Sequence, residues 1–236
     1  MSHGSHRRIL LCAALACGLT AVQRPAHAFW VVNFGPAAPL HPGRLAFVGG
    51  VGGQVVRAGS PERTSAVFFI PHAGLRVGLL PILDVGLRLA PLPLPYASVG
   101  PGLGGNLDVK VLLTPRAWRW HLALDVGAGV AHALVNDQGR LAWSPNAALL
   151  LSVGLGGSTQ LTFMARYAYI GVPTATGGEG ANHVHVVGAS VGLRLRLNDH
   201  IALMPELGAY RYLGALGGQE VNGFAGQYGV VLGATL

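Results

Sequence analysis

Apolar side chains occupy every second position through most of this chain. Residues 83–90, which read LDVGLRLA, place leucine or valine at each odd position and a polar or small residue at each even one. The segments 107–113 and 118–130 repeat this pattern. Successive side chains of a β-strand point to opposite faces of a sheet. The pattern therefore predicts strands that have one apolar face and one polar or small face.

Ten such segments are separated by stretches rich in Gly, Pro, Asn or Asp, which are typical of turns. The predicted strands span residues 44–57, 65–79, 83–90, 104–113, 118–132, 141–155, 158–170, 182–197, 200–213 and 223–236. Short connections alternate with longer ones, at 58–64, 91–103, 133–140, 171–181 and 214–222. Short and long loops thus fall at opposite ends of the sheet, as in an up-and-down β-barrel.

The composition excludes two other classes of fold. Glycine accounts for 36 of the 236 residues, which is too many for a helical bundle. Charged residues make up 11 %, against about 25 % in ordinary soluble domains. A protein with several membrane-spanning helices needs repeated apolar stretches of about 20 residues. After residue 28, the uncharged stretches 89–107 and 141–165 are both interrupted by proline and glycine.

The first 28 residues have the layout of a secretory signal peptide. Two arginines precede the apolar run 9–22, and residues 26–28 form a small-x-small cleavage pattern. We therefore predict that residues 1–28 are removed and that the proline-containing segment 29–43 is a periplasmic lead-in to the barrel, which spans 44–236. A helix retained in the fold and a lipoprotein modified at Cys17 are the alternatives.

Cysteine and lysine usage limits the chemistry of the mature chain. Cys12 and Cys17 both lie in the apolar run, so the mature chain has no disulfide framework and no cysteine ligand for a metal. We predict neither a metal site nor a cofactor. Lys110 is the only lysine, and no basic cluster is interleaved with aromatic residues, so the sequence gives no support for nucleic-acid binding.

The last predicted strand is the most specific segment of the chain, because its apolar residues alternate to the C-terminus. With this strand, residues 44–236 resemble the small, porin-like outer-membrane β-barrel proteins of Gram-negative bacteria. The resemblance implies a closed antiparallel barrel of about ten strands, with eight or twelve as alternatives. It also implies a C-terminal signal for the barrel assembly machinery, with Leu236 in place of the usual aromatic residue, and contact with outer-membrane lipid and lipopolysaccharide. The signal residues would be Gln227, Gly229, Leu232, Ala234 and Leu236.

Aromatic residues are expected at both membrane interfaces of such a barrel. If both termini are periplasmic, Trp118 and Trp120 lie at the inner interface. The residues expected at the outer interface are Trp143, Tyr167, Tyr169, Tyr210, Tyr212, Phe224 and Tyr228.

Charged residues fall in the phase that points into the lumen, beside many glycines. The predicted lumen set is Arg76, Asp84, Arg88, Asp108, Lys110, Arg119, His121, Asp125, Arg166, Arg194, Arg196 and Glu206, together with His72. A structural network of ion pairs is the favoured interpretation, with Asp84 opposite Gly78, Lys110 opposite His121 and Asp125 opposite Asn106. The alternative is an open, narrow pore in which excess arginine favours anions.

Catalytic chemistry finds little support in the pattern. His183 and His185 fall in the phase that points to lipid or to the rim, whereas Ser190 points inward, so they do not meet as base and nucleophile. We therefore predict a barrel that is structural or a narrow passive pore, and not an enzyme. The alternatives are a barrel enzyme that acts on lipid or peptide at the outer rim and a secreted soluble β-sandwich.

Overall fold

Ten long strands make up the computed structural model, which describes residues 35–58, 63–92, 99–100, 102–135, 138–172, 182–216 and 219–236. The strands are Leu45–Ala58 (β1), Arg63–Leu80 (β2), Leu83–Leu92 (β3), Gly102–Leu112 (β4), Trp120–Val135 (β5), Gln138–Gly156 (β6), Thr159–Gly171 (β7), His183–Arg196 (β8), Ile201–Leu216 (β9) and Gln219–Thr235 (β10). A two-residue strand, Val99–Gly100, precedes β4 and pairs with the end of β5. The predicted signal peptide lies outside the described residues.

The strands close into one antiparallel barrel. Each strand pairs with its neighbours in sequence, and β10 pairs with β1 from Ala46 opposite Thr235 to Ala58 opposite Gly223. Closure gives every strand a paired neighbour on both sides, which is what a sheet in hydrocarbon requires. The predicted ten-strand, up-and-down barrel is confirmed. Within the described residues, no helix is long and apolar enough to span a membrane.

Several strands extend beyond their predicted ends. The connections between β5 and β6 and between β9 and β10 are only residues 136–137 and 217–218. Polar residues and glycine at these ends resemble loop sequence, but backbone pairing continues through them, as in Gln138 opposite Val135. Longer connections remain at 93–101 and 172–182, at the end of the barrel that we call outer. The opposite end, where β1 begins, is called inner.

The outer surface carries the apolar half of the alternation. On β5, Leu124, Val126 and Val130 are exposed and follow Trp120, while Val130 lies beside Trp143. Ten residues separate Trp120 from Val130, and at about 3.3 Å per residue and a tilt of about 40° they span about 25 Å. This is the height of the apolar band of an outer-membrane barrel.

Leu124 lies near the middle of this band, so Leu124→Arg is expected to lower the free energy of unfolding by about 2–4 kcal/mol. The measurement is urea unfolding of the barrel in lipid vesicles. Leu141→Arg is the matched control, because Leu141 is also exposed but lies above Trp143 at the outer end, where the expected cost is about 0–1 kcal/mol. Equal losses in the two variants would contradict the assigned membrane position.

The interior of the barrel contains a cluster of buried apolar residues as well as buried polar residues. Tyr210 and Tyr212 are each 1 % exposed and pack with Val56, Val184 and Val186 inside the barrel. The prediction that places the two tyrosines at the outer interface is therefore wrong. Both tyrosines lie at even positions of β9, as Glu206 does, and therefore point into the lumen.

Glycines that face the lumen accommodate neighbouring side chains. A Cβ at Gly188 would overlap the ring of Tyr210, and a Cβ at Gly86 would lie 2.7 Å from Nη2 of Arg76. The small residues thus provide space for neighbouring rings and guanidinium groups inside the barrel.

Candidate functional site in the barrel lumen

A network of buried ion pairs lines one wall of the lumen, on strands β2 to β5. Arg76 pairs with Asp84 and Asp108 and lies 3.4 Å from Asp125. Arg88 bridges the same group, with Nε 2.7 Å from Asp108 and Nη2 3.1 Å from Asp125. All five side chains are at most 8 % exposed, so this is a charged cluster removed from bulk water.

Lys110 completes the network, with Nζ 3.4 Å from Oδ2 of Asp84. The predicted pairing of Gly78 with Asp84 is confirmed, but Lys110 lies opposite Asp125 and not His121. The reason is the turn between β4 and β5: its last partners are Leu112 and Ala123, so the turn is centred two residues later than the predicted 114–117 and the register shifts by four residues.

Asn106 also changes partner through that shift, because it lies opposite Gly129 and not Asp125. The side-chain Oδ1 of Asn106 accepts a hydrogen bond of 2.7 Å from the side-chain Nδ2 of Asn146.

The cluster is balanced in charge. Three carboxylates, Asp84, Asp108 and Asp125, face the three cations Arg76, Arg88 and Lys110. Arg166 and Arg194, by contrast, make no ion pair within the described residues. Arg166 donates 2.6 Å to the side-chain oxygen of Asn146, and its buried Nε has no hydrogen-bond partner. Glu206 is a fourth buried carboxylate, so these two arginines leave one cation in excess within the described lumen.

The N-terminal segment 35–43 enters the lumen from the inner end. The backbone N–H of Ala37 donates 2.8 Å to Oγ of Ser152, and that of Leu40 donates 3.0 Å to Oδ2 of Asp84. Lys110 donates 2.9 Å to the carbonyl of Pro36. The lead-in predicted from the sequence thus contacts the ion-pair network directly.

Proline and glycine make this entry possible. Pro36, Pro39 and Pro42 have no N–H group, so the segment brings fewer donors into the lumen that need a partner. Arg116, in the turn between β4 and β5, donates to the carbonyls of Pro39 and Leu40 at 2.8 and 3.0 Å. A Cβ at Gly78 would overlap the carbonyl oxygen of His41, so only glycine there lets the segment approach β2.

Two cavities lie along the charged wall. The inner one, of about 90 Å³, lies between segment 35–43 and the strands on the far side of the barrel, and its charged lining residues are Arg76, Asp84, Lys110 and Arg194. The outer one, of about 70 Å³, is lined by Arg88, Arg166, Asn106 and Asn146, with alanine and glycine around them. Cationic side chains therefore border both cavities.

Two solved structures are similar to the chain over nearly their whole length. The outer membrane protease OmpT from Escherichia coli has a TM-score of 0.51 and 10 % identity, over 87 % of this chain and 99 % of that one. An outer membrane channel from Pseudomonas putida F1 has a TM-score of 0.53 and 12 % identity, over 87 % and 100 %. No family model and no curated protein matches the sequence. The chain has the fold of a bacterial outer-membrane β-barrel. Because one neighbour is a protease and the other a channel, the likeness shows this fold and not an activity.

The outer-membrane barrel carries aromatic residues at both ends of its apolar band. Trp118 and Trp120 pack together at the inner end, with ring centroids 4.7 Å apart. Trp143, Tyr167 and Tyr169 lie at the outer end, and Trp143 and Tyr169 have centroids 5.0 Å apart. Tyr228 also points outward, but it pairs with Gly53 and Leu207 near the middle of β10 and not at the outer end.

The remaining charged residues predicted to line the lumen lie in different places. His72 and Glu206 are buried in the barrel, and His121 is half-buried near its inner end. Arg119 and Arg196, by contrast, are exposed at the inner rim, where Arg196 lies 3.2 Å from Asp199. Arg119 precedes β5 and Arg196 ends β8, so strand alternation no longer fixes their direction.

The two histidines of β8 lie on the outside of the barrel, in an aromatic cluster. His183 stacks on Tyr169 with centroids 5.8 Å apart, and His185 accepts or donates a hydrogen bond of 2.8 Å with the hydroxyl of Tyr167. Ser190 is buried in the lumen, on the opposite face of the same strand. No three His, Cys, Asp or Glu side chains converge on a possible metal site within the described part of the chain.

The final strand closes the barrel. Gln227 points into the lumen, where its side-chain Oε1 accepts a 2.9 Å hydrogen bond from Nε2 of Gln54 on β1. Leu232 and Leu236, by contrast, are exposed on the outside of the barrel. Gly229 and Ala234 pair with β1 in the same ladder. The role of these residues as an assembly signal stays a prediction.

Proposed function

We propose that this outer-membrane barrel is a narrow passive pore that prefers anions and is closed at its inner end by residues 35–43 in the described conformation. The observation that carries the proposal is the pair of cavities on the charged wall, each lined by an arginine outside the balanced network. Those residues are Arg194 on the inner side and Arg166 on the outer side. Fixed positive charge in a constriction favours the passage of anions.

The contacts of the N-terminal segment support closure that is reversible. Apart from the buried Ala37 and Pro39, the segment is held mainly by hydrogen bonds such as those to Ser152 and Asp84. Each such bond contributes about 0.5–1.5 kcal/mol net, because water replaces it on release. Withdrawal of the segment would join the inner cavity to the inner mouth of the barrel.

A reversible disulfide between residues 37 and 152 tests this closure. The contact of 2.8 Å between the two residues suits the Cα separation of about 4.4–6.8 Å that a disulfide requires. A chain from residue 29 with Ala37→Cys and Ser152→Cys has no other cysteine. In a planar bilayer, we expect the oxidised barrel to be silent and the reduced barrel to show discrete steps with a reversal potential on the anion side.

Ser152→Cys alone is the control, and we expect it to conduct with or without oxidant. The refolded samples are first shown to shift on heating in a gel, which identifies a closed barrel. Equal conductance in the oxidised and reduced double variant would refute closure by residues 35–43. Silence of the reduced, heat-modifiable sample would refute the pore and leave a structural role for the barrel.

The proposal treats the barrel as non-enzymatic, since Ser190 and the histidines of β8 lie on opposite faces of the wall. It includes export through a cleaved signal peptide at residues 1–28. Its proposed partners are outer-membrane lipid and lipopolysaccharide around the apolar band, the barrel assembly machinery at β10, and small ions or solutes in the lumen.

A further inference from the structure

The outer cavity holds buried donors that lack acceptors. The buried Nε of Arg166 and the buried Nδ2 of Asn106 have no hydrogen-bond partner within the described residues. Both residues line this cavity. A buried donor without an acceptor costs about 1–3 kcal/mol. A ligand that supplies acceptors here would form these hydrogen bonds and remove that cost.

The charge of the cavity specifies a monoanion. Arg88, at its floor, belongs to the balanced network of three cations and three carboxylates. Arg166 is the surplus charge, because the group that accepts its hydrogen bond is the neutral side chain of Asn146. One negative charge placed beside Arg166 would therefore neutralise this part of the lumen, whereas a dianion would leave an excess of negative charge.

The walls specify the rest of the ligand. Around the polar floor, the cavity is lined mainly by small residues, including Ala131, Ala142 and Ala168. Its volume of about 70 Å³ lies well below the range of about 300–1,000 Å³ that is usual for drug-sized ligands, so it suits a ligand of only a few non-hydrogen atoms. Apolar walls with a few placed polar groups suit an amphipathic ligand and not a fully hydrated inorganic ion.

From these three features we infer that the outer cavity binds a small organic monocarboxylate. The carboxylate would accept hydrogen bonds from Arg166 and Asn106, and the apolar body would lie against the alanine wall. The inference rests on the proposed function, since it names the class of anion that enters the lumen. Guanidinium–carboxylate hydrogen bonds are charge-assisted, and this would give the site its preference for an acid over its amide.

Isothermal titration calorimetry of the refolded, heat-modifiable barrel in detergent tests the site, with acetate as the probe. We expect saturable binding of acetate, at least about tenfold weaker binding of the neutral acetamide, and a similar loss for Arg166→Gln. Arg196→Gln is the matched control, because it removes an arginine that is exposed at the inner rim and lines neither cavity, and we expect it to bind acetate as the unaltered chain does.

A second variant keeps the test decisive if Arg166→Gln fails to fold. Ala168→Leu retains the arginine but fills the cavity, so it is expected to abolish acetate binding. Binding of acetamide or inorganic phosphate as tight as that of acetate, or undiminished binding by either variant, would overturn the inference. Binding is measured without conductance, so a silent barrel that binds acetate refutes only the pore, whereas a conducting barrel that does not bind it refutes only this site.

Discussion

Replacement of Arg76 by methionine is expected to lower the free energy of unfolding of the barrel by about 3–5 kcal/mol, the loss that follows removal of one partner from a buried ion pair. Arg76 lies within 4 Å of all three carboxylates of the network. Without it, Arg88 and Lys110 alone face three buried negative charges, in a place where water cannot screen the repulsion. The measurement is urea unfolding in lipid vesicles, followed by tryptophan fluorescence.

Two further variants separate this effect from a general loss of arginine. Arg196→Met removes an arginine whose pair with Asp199 is exposed at the rim, and it is expected to change stability by less than about 1 kcal/mol. Addition of Asp108→Asn to Arg76→Met restores the balance of charge and is expected to recover part of the loss. If the network were not energetically coupled, the loss in the double variant would equal the sum of the losses measured for Arg76→Met and Asp108→Asn alone.

Gly78→Val is expected to expel residues 40–41 from the wall while the barrel itself stays closed. The new side chain would overlap the backbone carbonyl of His41, which cannot move without moving the segment. Overpacking of this kind costs about 1–3 kcal/mol, and 1.4 kcal/mol is a factor of ten in the position of an equilibrium. A cysteine introduced by Ala37→Cys is therefore expected to react at least about tenfold faster with a water-soluble maleimide.

Gly226→Val is the matched control, since a Cβ at Gly226 has no atom within 4 Å. It adds the same side chain to a strand without contact to the segment, and the reactivity of the introduced cysteine should stay at its original value. If Gly78→Val and Gly226→Val gave the same rate, the segment would not be held against β2 in the way that the structure shows.

The strands and the inward face follow from the sequence because a period of two is a local property. Asp84, Arg88 and Lys110 lie inside the barrel, as their phase predicts. The partner of Lys110 depends instead on the position of one turn, which alternation does not encode. The prediction for Tyr210 is wrong for a different reason. It relied on the usual place of aromatic residues at the membrane interface, whereas the alternation along β9 points this side chain into the lumen, as the structure shows.

The contacts of segment 35–43 lie beyond such patterns. Its residues show no period of two, and its partners are far away in sequence, with Ala37 bonded to Ser152 and Pro36 bonded to Lys110. These hydrogen bonds join the backbone of one part to side chains of another, so neither part alone indicates the other. The outer cavity is hidden for a similar reason, since Arg88 and Arg166 come from strands that are not neighbours.

The position of the N-terminal segment has a consequence for the order in which the barrel assembles. The segment precedes β1, yet the partners described above lie on β2, β3, β4 and β6 or in the turn that follows β4. The seam between β1 and β10 joins the two ends of the chain and involves the largest sequence separation, which makes it the slowest contact to form. Residues 35–43 can therefore dock on the curved sheet of β2 to β6 while that seam is still open. The N-terminal segment would then already occupy its position when the last seam forms and the lumen is enclosed.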